Sequence, residues 1–387
     1  MTDFGRTTLP YCSFNLDGQR HVGVGIGTQV LDLTSAAATI VPEHAPLFAD
    51  GSLDPLLAAG PNTWHAVREA LLAHAPTDHT HDTEHLHDDV ELVLPFTVAD
   101  YVDFYASEHH ATNVGKIFRP DGDALTPNWK HLPIGYHGRA GTVVASGTSI
   151  LRPSGQRRLQ DGEIAFGPST KLDIEAELGF VVGAPSALGT PVPISEFDHH
   201  VFGVCLVNDW SSRDIQAWEY VPLGPFLGKS FATSISSWII PLAALEGARI
   251  DPPTQSPEPL PYLRTDQPWG LNLDFVISIN GTEISRPPFA TMYWTGAQML
   301  AHMTVNGASL RTGDLFASGT ISGTEPYQRG SLLELTWNGT EPLTLADGST
   351  RTFLEDGDTV TISAVAHLAS GKRLELGNVC GTIVGQP

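Results

Sequence analysis

At 387 residues the chain is long enough for one large or two ordinary domains, and its 41% hydrophobic and 17% charged content marks a globular protein rather than a disordered one. With 43 acidic against 21 basic residues the net charge is −22. Such a surface repels nucleic acid and anionic lipid and argues against both as partners. It repels an anionic substrate too, which then needs a locally positive pocket or a bound cation. Cys12, Cys205 and Cys380 lie far apart with no metal or redox spacing and read as free thiols in a reducing compartment. MTDFGRTTLP has no basic stretch leading into an apolar one, so no signal peptide is expected. The apolar run WIIPLAAL is far too short for a bilayer, and the expectation is a soluble, cytoplasmic protein.

In chain order, TTLPYCSFNLDGQRHVGVGIGTQVLDL predicts short strands, with a turn at Asp17-Gly18 and glycines at Gly23, Gly25 and Gly27. Two helical pieces follow over residues 45–75, APLFADGSLDPLLAAG and NTWHAVREALLAHA, the second with Asn62 as its N-cap. The polar run at 77–89 holds His79, His81, His85 and His87 beside Asp82, Glu84, Asp88 and Asp89. It has no Cys and almost no apolar residues to fix ligands, so it reads as a solvated loop rather than a zinc site. Apolar order resumes in LVLPFTVADYVDF, which places a domain boundary near residue 95: residues 1–95, then residues 96–387.

Beyond that boundary short segments punctuated by Gly and Pro dominate. TVVASGTSILRP, IEAELGFVVG, LDFVISING, SLLELTW and DTVTISAVA read as strands, and DWSSRDIQAWEY and TGAQMLAHMTV as short helices. The expectation is a mostly β domain without internal repeats or a phosphate-loop glycine pattern.

Residues 207–233 concentrate polar chemistry: Asp209 at a strand end, then Arg213, Gln216, Tyr220, Lys229 and Thr233. Upstream, the alternation in Asp173–Leu178 sends Glu175 and Glu177 to one strand face, where two carboxylates repel unless a cation or donor intervenes. A half-buried strand with a wet acidic face is the ordinary reading of that pattern alone, but the following FVVG reads as a strand buried on both faces and makes a purely solvated pair of acids less comfortable. Asp103 sits among aromatics in ADYVDFY. Hard divalent cations take several oxygen ligands, and these four acids supply them if they converge.

Six blocks carry a resemblance: DFYASEHHATNVGKIFR, NWKHLPIGYHGRAGTVVASGT, IEAELGFVVG, NDWSSRDIQAWEYVPLGPFLGKSFATSIS, MYWTGAQMLAHMTVNGASLRTGDLFASGTISG and GSLLELTWNG. Their order from about residue 100 onward resembles the fumarylacetoacetase family; the N-terminal part resembles it more loosely. The resemblance implies a small N-terminal SH3-like β domain, a larger C-terminal β-roll domain and a homodimer. It implies a divalent cation, Mg²⁺ or Ca²⁺, on Asp103, Glu175, Glu177 and Asp209, with Thr233 and Lys229 around it; a Lys⁺ reads as a neighbour of the ion, not a ligand. The general base falls on His110, which the HATN alignment favours over His109, and its carboxylate partner on Glu334. Oxyanion stabilisers fall on Arg213, Gln216 and Lys229, and substrate contacts on Tyr105, Arg119, Tyr136, Gln216, Tyr220 and Thr320. The implied reaction is hydrolysis of the carbon–carbon bond of fumarylacetoacetate, a dicarboxylate β-diketone, in tyrosine and phenylalanine degradation. The alternative is a related acylpyruvate or β-diketone hydrolase with the same metal site. Ala232 departs from the family pattern, where Gly is expected, and its methyl narrows the space beside Lys229 and Thr233.

Overall fold

A computed structural model describes residues 2–74, 84–86 and 89–386. An N-terminal five-stranded sheet runs in the order Glu84–Leu86, Gln29–Asp32, Gln19–Ile26, Tyr11–Leu16, Glu91–Val93, antiparallel throughout. Its first hairpin turns where expected: Asp17 and Gly18 have φ of 50° and 78°, the left-handed pair that a two-residue turn requires. A helix at Leu33–Ile40 was not anticipated. Its signal is Asp32, whose carboxylate accepts the Thr34 and Ser35 amides at 2.9 and 3.4 Å. The expected helical pieces are a 3₁₀ turn at Pro42–Phe48 and helices at Asp54–Ala58 and Pro61–His74. Asn62 is therefore inside the last helix rather than its cap, because Pro61 opens it with a φ already suited to the first turn. Of the His-rich run, His79, His81, Asp82, His87 and Asp88 lie outside the described residues.

The C-terminal part is built on a large sheet in the order Gly135–His137, Asp100–Phe104, Asp314–Ala317, Ala176–Val182, Val201–Asp209, Thr233–Ile235, Val143–Ala145, with Ile240–Pro241 also paired to Val201–Asp209. A second sheet orders Thr282–Ser285, Leu273–Ile279, Thr359–His367, Arg373–Val384 and Ile150–Leu151. The two central strands, Ala176–Val182 and Val201–Asp209, are buried along their whole length because the two faces meet different cores. Leu178, Phe180, Val204 and Leu206 pack toward the C-terminal core with Phe275 and Trp294. Their alternates Val181, Cys205 and Val207 pack with Tyr11, Leu57 and Val67 of the N-terminal part. The chain is mostly β, a small N-terminal β domain followed by a larger domain of curled sheet. Among the described residues no helix is long and apolar enough to cross a membrane.

Two strand expectations are corrected. Asp173–Leu178 is not one strand: Leu172–Asp173 pairs with Ser211–Ser212, the ladder breaks at Ile174 and Glu175, and Ala176–Val182 continues against Val201–Asp209. Both glutamates are buried, Glu175 at 5% and Glu177 at 0% exposure, which excludes the wet acidic face. SLLELTW is a helix, Leu332–Leu335, because Ser331 caps it through the Glu334 amide and Asp173 accepts the Leu332 and Leu333 amides. Helices Arg213–Glu219 and Gly296–Thr304 stand where expected, the latter with a Thr295–Gln298 capping box. Helix Glu108–Phe118, capped by Ser107, was missed.

Candidate active site and metal centre

Three strands of the large sheet and one ladder break bring the acids together. Asp103 lies on Asp100–Phe104, Glu177 on Ala176–Val182, Asp209 at the end of Val201–Asp209, and Glu175 in the break before Ala176. One oxygen from each lies within 4.8 Å of the others, and all four residues are buried. Lys229 donates to Glu175 and, at 2.6 Å, to Asp209; Thr233 and the Tyr136 phenol donate to Asp209 at 2.9 and 3.4 Å. Gly319 brings its backbone N–H to Glu177 at 3.1 Å. Only glycine suits that position, since φ is 75° and a Cβ would stand 2.2 Å from the Phe104 carbonyl.

Charge is unevenly balanced across the cluster. Burial, with repulsion from Asp209 and Glu175, holds the Asp103 carboxyl well above the usual carboxylate range, Lys229 notwithstanding. Burial and its three acidic neighbours do the same to Glu177. Asp209 is raised by burial and by Glu175, against the pull of Lys229. Glu175 goes the other way: burial pushes it up, but Lys229, Arg213 and His110 together take it far below its ordinary value. Burial disfavours the Lys229 ammonium, yet Asp209 and Glu175 overcome this and hold it charged. Asp103 Oδ1 and Glu177 Oε1 are buried with no hydrogen-bond partner. Orphaned carboxylate oxygens at zero solvent contact are expensive, and an all-oxygen donor set in negative excess is what a hard divalent cation takes. The residues fit such an ion.

Beside the acids stands a histidine held by a saturated carboxylate. Ser107 accepts the His110 amide at 3.2 Å at the head of helix Glu108–Phe118, which fixes the first turn and its side chains. His110 Nδ1 lies 2.6 Å from Glu334 Oε2, and Nε2 turns toward the acid cluster, 3.9 Å from Glu175 Oε1. Glu334 also accepts from Ser322 and Ser331 at 3.0 and 2.9 Å, and from Asn113 at 2.9 Å. Burial raises its carboxyl, but the contact with His110 and the hydrogen bonds from His110, Asn113 and Ser331 prevail and hold it below its usual value. His109 is only half-buried.

Arg213 donates to Asp173 at 2.8 Å, to Glu175 at 2.7 Å and to Gln216 at 3.2 Å. The Tyr105 ring meets the His110 ring edge-on at 5.3 Å. Thr320, next to Gly319, is buried with its hydroxyl unpartnered. Two residues stand apart: Arg119 is exposed and donates to the Ala124 carbonyl at 2.7 Å, and Tyr220 is 49% exposed. Among the described residues neither hydrogen-bonds to the acid cluster. Ala232 is buried in the C-terminal core. Asp173, Asn113, Ser322 and Ser331 went unread in the sequence. Asn113 and Ser331 had local signals, the first three residues after His110 on one helical face, the second three residues before Glu334 in a Ser-x-x-Glu capping pattern.

The family model described as fumarylacetoacetate (FAA) hydrolase C-terminal matches residues 100–384, and the one described as fumarylacetoacetase N-terminal matches residues 7–98. The chain belongs to this family of hydrolases. Curated relatives include the fumarylacetoacetase of Homo sapiens, 43% identical over 99% of this chain and 96% of its own length, and that of Arabidopsis thaliana, 44% identical over 98% and 95%. Among solved structures, a fumarylacetoacetate hydrolase from Exiguobacterium antarcticum aligns with a TM-score of 0.58 at 16% identity, covering 98% of this chain and 100% of its own. A putative HpcE protein from Mycobacterium smegmatis aligns at 0.59 and 17%, covering 97% and 99%. At those identities the likeness is one of fold.

Proposed function

We propose that this chain hydrolyses the carbon–carbon bond of fumarylacetoacetate to give fumarate and acetoacetate. The observation that carries the reading is the meeting of four buried acids, two with orphaned oxygens, with a carboxylate-held histidine whose free nitrogen faces them. The choice of substrate rests on the relatives, which carry the name fumarylacetoacetase over nearly the whole of both chains.

In this reading Asp103, Glu175, Glu177 and Asp209 hold the cation, Mg²⁺ or Ca²⁺, and Thr233 orients Asp209. When bound, the cation supplies Lewis-acid stabilisation of the enolate oxygens of the leaving acetoacetate. The hydrogen bond to Glu334 keeps the proton on His110 Nδ1, which leaves Nε2 to accept a proton from water. The hydroxide adds to the scissile carbonyl, and Arg213, Gln216 and Lys229 meet the developing oxyanion; three Arg213 N–H groups are fixed on Asp173, Glu175 and Gln216, so the fork stands ready before substrate arrives. When the carbon–carbon bond breaks, the proton on His110 goes to the acetoacetate carbon. Tyr105, Tyr136 and Thr320 line the substrate's path, and Arg119 and Tyr220 close on it from the rim. Lys229, Arg213 and the cation make the pocket locally positive inside a protein of net charge −22, which answers how a dianion enters.

The same reading places the chain in the cytoplasm, at the last step of tyrosine and phenylalanine breakdown, with the division into domains near residue 95. It makes the protein a homodimer: Leu223 is 96% exposed, with Val221, Phe226 and Leu227 exposed beside it, an apolar run that a second copy would cover. The test follows loss of fumarylacetoacetate absorbance with and without EDTA, then with Mg²⁺ or Ca²⁺ restored. Cation-dependent release of fumarate is expected. No turnover, together with cleavage of an acylpyruvate, overturns the choice of substrate.

A further inference from the structure

Asp173 belongs to neither the acid cluster nor the His110 pair, yet it touches the supports of both. Its side chain is fully buried and meets four donors. Oδ1 accepts the Ile174 and Leu332 amides, both at 2.7 Å; Oδ2 accepts the Leu333 amide at 3.0 Å and Arg213 Nε at 2.8 Å. A carboxylate offers about four acceptor sites, so this one is saturated. Leu332 and Leu333 open the short helix Leu332–Leu335 that carries Glu334. Through that backbone Asp173 reaches the partner of His110. Through Oδ2 it reaches the guanidinium whose far nitrogen lies 2.7 Å from Glu175 Oε1, the oxygen that His110 Nε2 faces at 3.9 Å.

We propose that Asp173 is a positioning residue for the hydrolysis: one buried carboxylate sets both the Glu334 helix and the Arg213 fork, and so fixes the distance between the group that moves the proton and the group that meets the oxyanion. The proposal rests on the roles given above to Glu334 and Arg213. The sequence supports it by economy of chain. Asp173 is two residues from Glu175, so one segment bears a cation-binding acid and the anchor that ties Arg213 and Glu334 to it. An ordinary buried carboxylate needs one compensating charge and any set of donors; this one takes a charged donor from one arm of the site and backbone donors from the other. All four partners are N–H groups, so Asp173→Asn keeps volume and shape while turning one acceptor edge into a donor that opposes them.

The test is a double-mutant cycle on steady-state cleavage, with cation affinity and thermal unfolding measured on every variant. Asp173→Asn is expected to lower kcat by roughly 10²-fold, the scale of one misplaced oxyanion donor, with KM changed by less than about threefold. Its effect should shrink in both the Arg213→Ala and the Glu334→Gln backgrounds, because the group it positions is absent in the first and has lost its charge in the second. A purely structural role gives losses that multiply in full across both cycles, and that outcome overturns the proposal, as does a kcat near wild type. Should Asp173→Asn not fold, Arg213→Lys decides instead. Lysine keeps the charge but cannot bridge Asp173 and Glu175 with separate fixed donors, so kcat should fall nearly as far as in Arg213→Ala. Wild-type kcat in Arg213→Lys sinks the proposal. If Arg213→Ala and Glu334→Gln themselves turn over normally, the roles assigned under the proposed function fail; if they are impaired and Asp173→Asn is not, only the positioning role fails.

Discussion

Glu334 and Glu177 are both glutamates at 0% exposure in the same domain, and they have opposite electrostatics. Glu334 takes four side-chain donors, from His110, Asn113, Ser322 and Ser331, and sits below its usual pKa once those bonds offset burial. Glu177 has the Gly319 amide on one oxygen, nothing on the other and three acids around it, and sits well above. The difference separates two uses of a buried charge. A carboxylate that the protein satisfies by itself is there to act on a neighbouring side chain. One left short of partners is there for something the protein does not contain.

The strongest way to break this comparison is at its contact point. His110→Ala is expected to lower kcat by up to about 10⁴-fold, removing the base while the acid cluster stays intact. Calorimetry should find cation affinity unchanged, and retained turnover refutes the assignment. Next comes the underpartnered side: Glu175→Gln with Glu177→Gln should weaken Mg²⁺ or Ca²⁺ binding by at least about 100-fold, since two of four charged ligands are lost. Unaltered calorimetric binding would remove the carboxylate site from consideration. On the satisfied side, Glu334→Gln should cost roughly 10²-fold in kcat, with cation affinity kept, because the amide still accepts from His110 but no longer offers the negative charge that stabilises its imidazolium. Equal losses of affinity in Glu334→Gln and in the double variant would erase the distinction.

The smallest effect is in pH. A carboxyl held low in the fold, such as Glu334, gives stability that is complete above the unfolded value of about 4.3 and is lost as pH falls through the lower folded value. Glu177 and Asp103, held high, do the reverse in cation-free protein: their stability is greatest below about 4 and is lost as pH rises toward their raised folded values. In EDTA the melting temperature should therefore decline from mildly acidic to neutral pH, by about 1–2 °C per kcal/mol for a chain of this size. The decline should be shallower in Glu177→Gln, and saturating cation should flatten it. Parallel slopes for wild type and Glu177→Gln would exclude Glu177 as a source.

What the sequence made legible follows from what each signal depends on. Asp103, Glu175, Glu177 and Asp209 were singled out from apolar flanks, and the fold brings them together because each flank is a strand, or a break beside one, of the same sheet. Alternation misled where a short run suits two periods: SLLELTW reads as a strand, and the Ser331 cap together with the Leu332 and Leu333 amides held on Asp173 decides for a helix. The same kind of contact hid Asp173 itself. Its four partners come from residues 174, 213, 332 and 333, and no window of sequence displays them together. Burial of Glu175 and Glu177 was only partly legible: their polar–apolar alternation ordinarily marks a half-wet strand, and the sign against it is the apolar FVVG that follows, part of a strand covered on both faces.

The strand order of the large sheet has one further consequence. Asp103 lies on a strand parallel to Asp314–Ala317, which in turn separates it from the strand of Glu177. The earliest of the four acids thus reaches the others only across a strand that is synthesised roughly two hundred residues later. A nascent chain that has emerged as far as Asp209 holds all four acids and still lacks the spacer that sets them at the right separation. A cation site that needs all four acids is therefore complete only once Asp314–Ala317 has paired on both sides.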